Sequence, residues 1–525
     1  MPLLHTTTAH DQHRRIDGPT VAAAAISVLV FAYVAARAAT MCITLDEAAT
    51  YNGHVTNGWL QILLFRTDGL PDNNHLVNTL LAKLSVNLFG LSELSLRLPV
   101  LLGCLLYLTG VNLSLRQAVS GWKVVPGLLA VGMNPYVVDF LGVARGYGLG
   151  LGFTALGLAA LLRAFAESPG RIREGAARLA IVLFGLAALS NLSFLLVLGA
   201  GLLLVGGFVT LRGISGQQVP EPASSPWPLL LVKLLLPGIP FIAYSMLPLH
   251  VIRQWKLFGE GGDTGFWHDT VGGLVNGTAY YDRWFWSYLH LLTGWVVAVV
   301  LFVPVALFIL RRLDQRHFAV LAVLAGMTLA VAVASVAQHH LMHVAFLQGR
   351  RGIFLIPLFL LAAAAVGDPP RNASAWYALP AKLLGFAVPA VLAVHDVASA
   401  SLDRIYDWNY FGGSRSAMLT LRDEAVRLNP GRPLKLRVDE DFFDCMNFYR
   451  SMYGMERVLL PVELEPLGGP ADFYYGFTRN EPAMAAQGAR PLYRHAQSET
   501  VLCVRDAAAA PGRAPRATDS GASVR

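Results

Sequence analysis

Residues 20–47 read TVAAAAISVLVFAYVAARAATMCITLDE: an apolar run of membrane-crossing length, then, a few residues on, the acidic pair Asp46-Glu47. About 20 such residues reach across roughly 30 Å of hydrocarbon. The run Thr20–Ala38 is long and lacks a small-residue cleavage site followed by a soluble chain, so it reads as a retained anchor and not a cleaved signal. The two carboxylates then stand at a membrane surface, where a membrane enzyme would keep its chemistry.

The rest of the chain repeats that apolar pattern. Of its 525 residues, 54% are hydrophobic and only 14% charged, with a mean hydropathy of +0.49. That leaves too little polar surface to cover a soluble globule. Further runs at Leu98–Leu115, Val124–Phe140, Tyr147–Ala164, Leu179–Asn191, Ser193–Leu211, Trp227–Leu249, Trp286–Leu310, Phe318–Ala337, Ile353–Gly367 and Ala381–Ala398 bring the expectation to about eleven spans. The fold class expected is an all-α polytopic membrane protein with a small C-terminal α/β domain.

Orientation follows from the basic residues, because short loops rich in Lys and Arg stay in the cytoplasm. Arg14, Arg15, Arg116, Lys123, the cluster Arg163, Arg171, Arg173 and Arg178, then Arg212, Arg311, Arg312 and Arg316 fall on one side if each run crosses once. The N-terminus is therefore expected inside, and the loops at 40–96, 139–146, 250–285 and 338–352 outside, with the C-terminal domain. The net charge of +7 is accounted for by this asymmetry, with Arg14-Arg15 lying against anionic headgroups. No basic patch interleaved with aromatics points to nucleic acid.

The expected domains are a disordered cytoplasmic tail at 1–18, a transmembrane catalytic domain at 19–400, an extracytoplasmic α/β domain at 401–506 and a disordered tail at 507–525. In the third, Leu434–Val438, Arg457–Val462 and Asp472–Phe477 read as strands around a helix at Phe442–Tyr453, and Arg490–His495 with Thr500–Arg505 as a hairpin. Its aromatics Tyr449, Tyr453, Tyr474 and Tyr475 read as core or as acceptor contacts. Cys445 and Cys503 fall in this domain; an oxidising compartment permits a disulfide between them, and two separate buried thiols fit equally well.

Thr44-Leu45-Asp46-Glu47 has the spacing of a capping box, which employs Thr44 and Glu47 and leaves Asp46 free. In the next polar stretch Asp72 or Asn73 can cap a helix running to Phe89 and ended by Gly90. There His75, Asn78 and Thr79 form one polar stripe facing away from Leu76, Leu80 and Leu84, expected to be solvated. Arg97, Arg145 and Arg350-Arg351 lie on the outer side against the orientation rule. A single such Arg can snorkel to headgroups, but several beside an acidic pair suggest a bound anion, since guanidinium matches phosphate bidentately.

Asp46-Glu47, Asn73-Asn74-His75-Leu76-Val77-Asn78-Thr79, Leu88-Phe89-Gly90-Leu91-Ser92-Glu93 leading to Leu96-Arg97-Leu98-Pro99, and Ala144-Arg145-Gly146-Tyr147 together resemble GT-C glycosyltransferases of family 39. These are relatives of the protein O-mannosyltransferases and the lipid A aminoarabinose transferase. The resemblance covers roughly Leu45 to Phe165, and departs where many relatives carry His-Pro-Pro or Lys-Pro-Pro in place of Asn74-His75-Leu76.

The resemblance implies a membrane enzyme that moves a sugar, with inversion, from a polyprenyl-phosphate donor to an acceptor hydroxyl at the outer face of the cytoplasmic membrane. Asp46, with Glu47 beside it, would be the catalytic carboxylate. Arg145, Arg350, Arg351 and Tyr147 would bind the donor phosphate, and His75, Asn74 and Asp139 would orient the acceptor or a metal ion. Relatives differ over a divalent metal, so that point stays open, as do the sugar and the acceptor, whether lipid, glycan or protein. The rival class is a polytopic transporter or lipid flippase; the related halves common there are absent from this sequence.

Overall fold

The computed structural model describes residues 17–166, 172–214, 226–257, 261–282, 284–290, 293–294, 297, 315–368, 386–428 and 431–505. The tails expected at 1–18 and 507–525 lie outside the described residues apart from Asp17 and Gly18, as do most of the run at 286–310 and residues 381–385.

The chain is mostly helical. Helices α1 (Gly18–Thr40), α2 (Leu45–Thr50), α3 (Trp59–Leu63), α4 (Leu76–Phe89) and α5 (Glu93–Ala118) carry it through the first polar loop and back into apolar sequence. Then come α6 (Val124–Gly132), α7 (Pro135–Gly142), α8 (Gly146–Phe165), α9 (Glu174–Ser190), α10 (Leu195–Ile214), α11 (Trp227–Leu235), α12 (Ile239–Gln254) and α13 (Gly272–Ala279). Later helices are named by their residues.

Among the described residues six helices are long and apolar enough to cross a membrane, or seven if one bent pair counts as a span. The protein is a multi-pass membrane protein; the expected count of about eleven spans extends to runs that lie partly outside the described residues. The run Val124–Phe140 breaks into α6 and α7, which meet at 64°. The break falls at Asn134-Pro135, where proline bars its predecessor from helical geometry; Asn134 then caps α7 by accepting from the Val137 N–H at 3.2 Å. Ile353–Gly367 and Ala381–Ala398 appear as Leu355–Val366 and Val388–Ala398, of 12 and 11 residues. At about 1.5 Å per residue the described helix Leu355–Val366 is shorter than the hydrocarbon.

The centre of the bundle is α8, whose apolar window is 78% buried against 17% for α1. It packs on α5 through small residues, as helices must where lipid offers no hydrophobic drive to associate. A Cβ on Gly103 would lie 2.7 Å from the Gly148 backbone, and one on Gly110 would lie 2.4 Å from that of Ala155.

Beyond Ala398 a small α/β unit begins. Its sheet has the order β1-β2-β4-β3, with β1 (Leu436–Val438) parallel to β2 (Phe473–Phe477) and β4 (Thr500–Arg505) antiparallel to β2 and to β3 (Ala489–His495). The predicted hairpin is β3–β4, and the predicted helix is Phe443–Met452. Arg457–Val462 is not a strand; it gives a single bridge, Leu459 to Leu434. A further helix, Ser414–Leu428, buries Ala417, Met418, Leu421 and Ala425. Tyr449, Tyr474 and Tyr475 are core residues at 0% exposure. Cys445 and Cys503 are free thiols: Cys445 belongs to the main core and Cys503 to a separate cluster with Tyr474 and Met484.

This unit is clamped to the membrane helices by polar contacts. Glu93, at the start of α5, accepts from Tyr449 Oη at 2.5 Å and pairs with Arg415 at 2.5 Å. Tyr449 Oη accepts the Ile43 N–H at 3.0 Å, and Arg415 donates to the Met41 carbonyl at 2.9 Å. The unit therefore rests on the segment that leads into Asp46.

Candidate active site

The capping box at Thr44 forms as its spacing requires: the Thr44 N–H donates to Glu47 Oε2 at 3.0 Å, and the Thr44 hydroxyl accepts from the Glu47 N–H at 3.4 Å. Glu47 does far more than cap. It is fully buried and takes a two-pronged contact from Arg97, Nε to Oε1 and Nη2 to Oε2, each at 2.7 Å. It also accepts the Ala144 N–H at 2.6 Å. Arg97 spends its remaining donors on the carbonyls of Ala38, Met41 and Cys42. The predicted catalytic Glu47 has no face left for a substrate, and Arg97, read from its place in the sequence as a candidate for anion binding, is an internal counterion.

One residue earlier, Asp46 points the other way. Its carboxylate, 18% exposed, meets Arg145 Nη2 at 3.4 Å and Arg350 Nη2 at 3.0 Å. Residues about a hundred and about three hundred positions away in the chain are thus gathered on one aspartate. Arg145 immediately precedes α8, and its loop is pinned by the Glu47 contact to Ala144 and by Asn78, which donates to the Ala144 carbonyl at 3.1 Å. Only glycine fits after it: a Cβ on Gly146 would lie 1.7 Å from the Ser190 carbonyl oxygen. Arg350 stands on the short turn Gly349–Gly352, and its guanidinium lies 4.8 Å over the Trp408 ring and 3.4 Å from Asp407 Oδ2. Tyr136 Oη reaches the same Asp407 oxygen at 3.4 Å. Burial pushes the Asp407 carboxyl upward, and Arg350 pulls it back.

The polar stripe of α4 is buried rather than solvated. Asn78 and Thr79 are 0% exposed, while Leu84 and Leu88 on the other face are 45% and 66% exposed. In an apolar environment the exposed leucines cost nothing, and the polar face turns inward. It brings His75 edge-on to Tyr147, ring centroids 5.8 Å apart. Burial holds the His75 imidazole well below its usual range, with Arg145 acting in the same direction. Around Ala144–Gly146 a set of buried polar atoms has no partner: Arg145 Nε and Nη1, His75 Nε2, Asn78 Oδ1 and Thr79 Oγ1. Orphaned buried donors are expensive. Here they flank the uncapped N-terminus of α8, an electropositive end suited to an anion.

The other predicted residues divide. Arg351 adjoins Arg350 on the same turn. Asn74 turns toward α3, donating to the Ile62 carbonyl at 3.1 Å. Asp139 has a separate set of partners from those of Asp46. It pairs with Arg37 of α1 and accepts from Tyr280 Oη at 3.1 Å and the Tyr406 N–H at 2.7 Å, tying α1 and α7 to the chain entering the C-terminal unit. Sequence reasoning missed Asp407, Trp408 and Tyr136. The cluster Tyr406-Asp407-Trp408 just past the last apolar run was the available signal. Among the described residues no group of three or more His, Cys, Asp or Glu comes together that could hold a metal ion.

Beside the Arg350 turn lies an apolar cleft of about 180 Å³, lined by Val271, Leu274, Leu329, Leu355, Ile356 and Phe359 among others.

No protein-family model and no curated protein matches the chain. Among solved structures it is similar to ArnT from Cupriavidus metallidurans bound to undecaprenyl phosphate, at 14% identity over 94% of this chain and 99% of that one, TM-score 0.48. The apo state of the same protein gives 14% identity over the same shares, TM-score 0.49. The Archaeoglobus fulgidus oligosaccharyltransferase in complex with Zn and sulfate is similar at 12% identity over 87% of this chain and 68% of that one, TM-score 0.43.

Proposed function

We propose that the protein is a glycosyltransferase of the GT-C type, similar to family 39, that moves a sugar from a polyprenyl-phosphate donor to an acceptor hydroxyl at the outer face of the cytoplasmic membrane. The observation that carries this reading is the meeting of Asp46 with Arg145 and Arg350, a partly exposed carboxylate set against two guanidinium groups. The apolar lining of the nearby cleft suits the start of a prenyl chain.

Asp46 takes the proton from the acceptor hydroxyl while that oxygen attacks the anomeric carbon. The bond from that carbon to the phosphate oxygen breaks, its electron pair leaves on the phosphate, and the sugar is inverted. Arg145 and Arg350 neutralise the charge that grows there, which is worth most in a water-poor site. Phosphate is already a good leaving group, so no second carboxylate of the glycosidase kind is needed. Glu47, Arg97 and Asp139 build the frame. The C-terminal unit, supplying Asp407 and Trp408, lies on the outer side with the site.

Proteoliposomes of the purified protein, incubated with a panel of synthetic polyprenyl-phosphate sugars and an envelope extract, test this. Release of polyprenyl phosphate together with a glycosylated product is expected. Transport of the intact donor across the bilayer without cleavage would replace the reading with the flippase class.

A further inference from the structure

Asp46 in this structure is not a free base. Its carboxylate is held by Arg145 and Arg350, the same groups that the reading above assigns to the donor phosphate. A carboxylate engaged in this way is turned to the two guanidinium groups and away from an acceptor hydroxyl. Arg145, however, has Nε and Nη1 buried and unpartnered, so its fork is only partly used. Arg350 has other supports, Asp407 at 3.4 Å and the Trp408 face at 4.8 Å.

We propose that Asp46 occupies the phosphate site as an internal anion, and that the donor phosphate takes Arg145 and Arg350 from it. Asp46 becomes a competent base only once the donor is bound. Asp407 and Trp408 are positioning residues that keep Arg350 in place through the exchange. The enzyme thereby couples the appearance of its base to the arrival of the leaving group. An acceptor hydroxyl that arrives first meets a carboxylate already engaged by Arg145 and Arg350, so donor binding precedes activation of the acceptor. This inference rests on the donor-phosphate reading and adds the competition between Asp46 and the phosphate.

The competition has a signature that needs neither sugar nor acceptor. A residue that merely lines the site weakens ligand binding when removed; an internal competitor strengthens it. Binding of farnesyl phosphate to the full-length protein in detergent is measured by calorimetry for wild type, Asp46→Asn, Asp46→Ala and Asp407→Asn. Both Asp46 variants are expected to bind about tenfold tighter than wild type, the scale of one partly buried ion pair no longer displaced. Asp407→Asn, which also removes a negative charge but not a displaced one, is expected to bind no tighter than wild type. Unchanged or weaker binding by the Asp46 variants, or equal tightening by Asp407→Asn, overturns the exchange while leaving the donor reading intact. A wild-type protein that does not bind farnesyl phosphate removes both.

Discussion

Asp46 and Glu47 are adjacent in sequence and opposite in use. Glu47 closes a capping box and a buried ion pair with Arg97, so Glu47→Gln leaves Arg97 as an uncompensated buried charge. It is expected to destabilise the fold by about 3–5 kcal/mol, well beyond the ~1 kcal/mol of a lost cap. Thermal unfolding in detergent checks this, and a loss no greater than that of Asp46→Asn would remove the distinction between the pair. The capping spacing was legible in the sequence. The partner of Glu47 was not, because Arg97 lies fifty residues on and only the fold brings them within 2.7 Å. Buried histidines add a pH dependence. His54, with Thr67 at 2.7 Å on Nδ1 and the Leu70 carbonyl at 3.1 Å on Nε2, is lowered by burial to about 4, and His75 is lowered too. Both are neutral in the fold at pH 7. As pH falls below about 6.5 the unfolded chain takes up protons that the folded chain refuses, so stability declines from there toward pH 4. A melting temperature that falls over this window, less steeply in His54→Gln, is the expected result; a flat profile contradicts it.

At the level of elements, α8 carries the site because its first turn is both crowded and uncapped. Gly146→Ala would drive a Cβ into the Ser190 carbonyl, displacing Arg145 and weakening donor binding more than stability. Arg145→Lys keeps the charge but loses the fork, and a several-fold weaker KM for the donor is expected. Unchanged donor kinetics in both variants would take the α8 N-terminus out of the site. Apolar periodicity identified the long helices α1, α5 and α8, whose hydropathy dominates their windows. It gave no sign of the bend at Asn134-Pro135, since a window of hydropathy does not register a 64° change of direction. The α4 stripe was located correctly and assigned to the wrong environment: a polar face looks solvated until the surroundings of the apolar face are known. The Ser414–Leu428 helix was legible in the spacing of Ala417, Leu421 and Ala425 but lies among charged residues that mask it.

For the whole molecule, the C-terminal unit is docked against the candidate site. Glu93, Tyr449 and Arg415 clamp it beside α2, and its leading segment delivers Asp407 and Trp408 to Arg350. Glu93→Gln with Tyr449→Phe is expected to speed proteolysis at the junction near Leu402 and to lower transfer, although neither residue touches Asp46. Equal proteolysis and full activity would mean the unit is a passenger. A phosphatase reporter fused after Leu402 is expected to be active, because the Lys and Arg distribution favours that point outside; an inactive fusion would contradict this orientation. The two-part organisation was legible in the shift of composition near Ala398; the docking was not, because its contacts join residues more than three hundred positions apart. The central claim is that Asp46, flanked by Arg145 and Arg350, is the base of sugar transfer. The measurement that tests it most directly is the turnover of a polyprenyl-phosphate sugar by purified wild type and Asp46→Asn, with folding and farnesyl phosphate binding checked on the same preparations. A fall of about 10²–10⁴-fold in turnover is expected, with the fold retained and farnesyl phosphate bound more tightly than by wild type; near-normal turnover by Asp46→Asn would contradict the assignment.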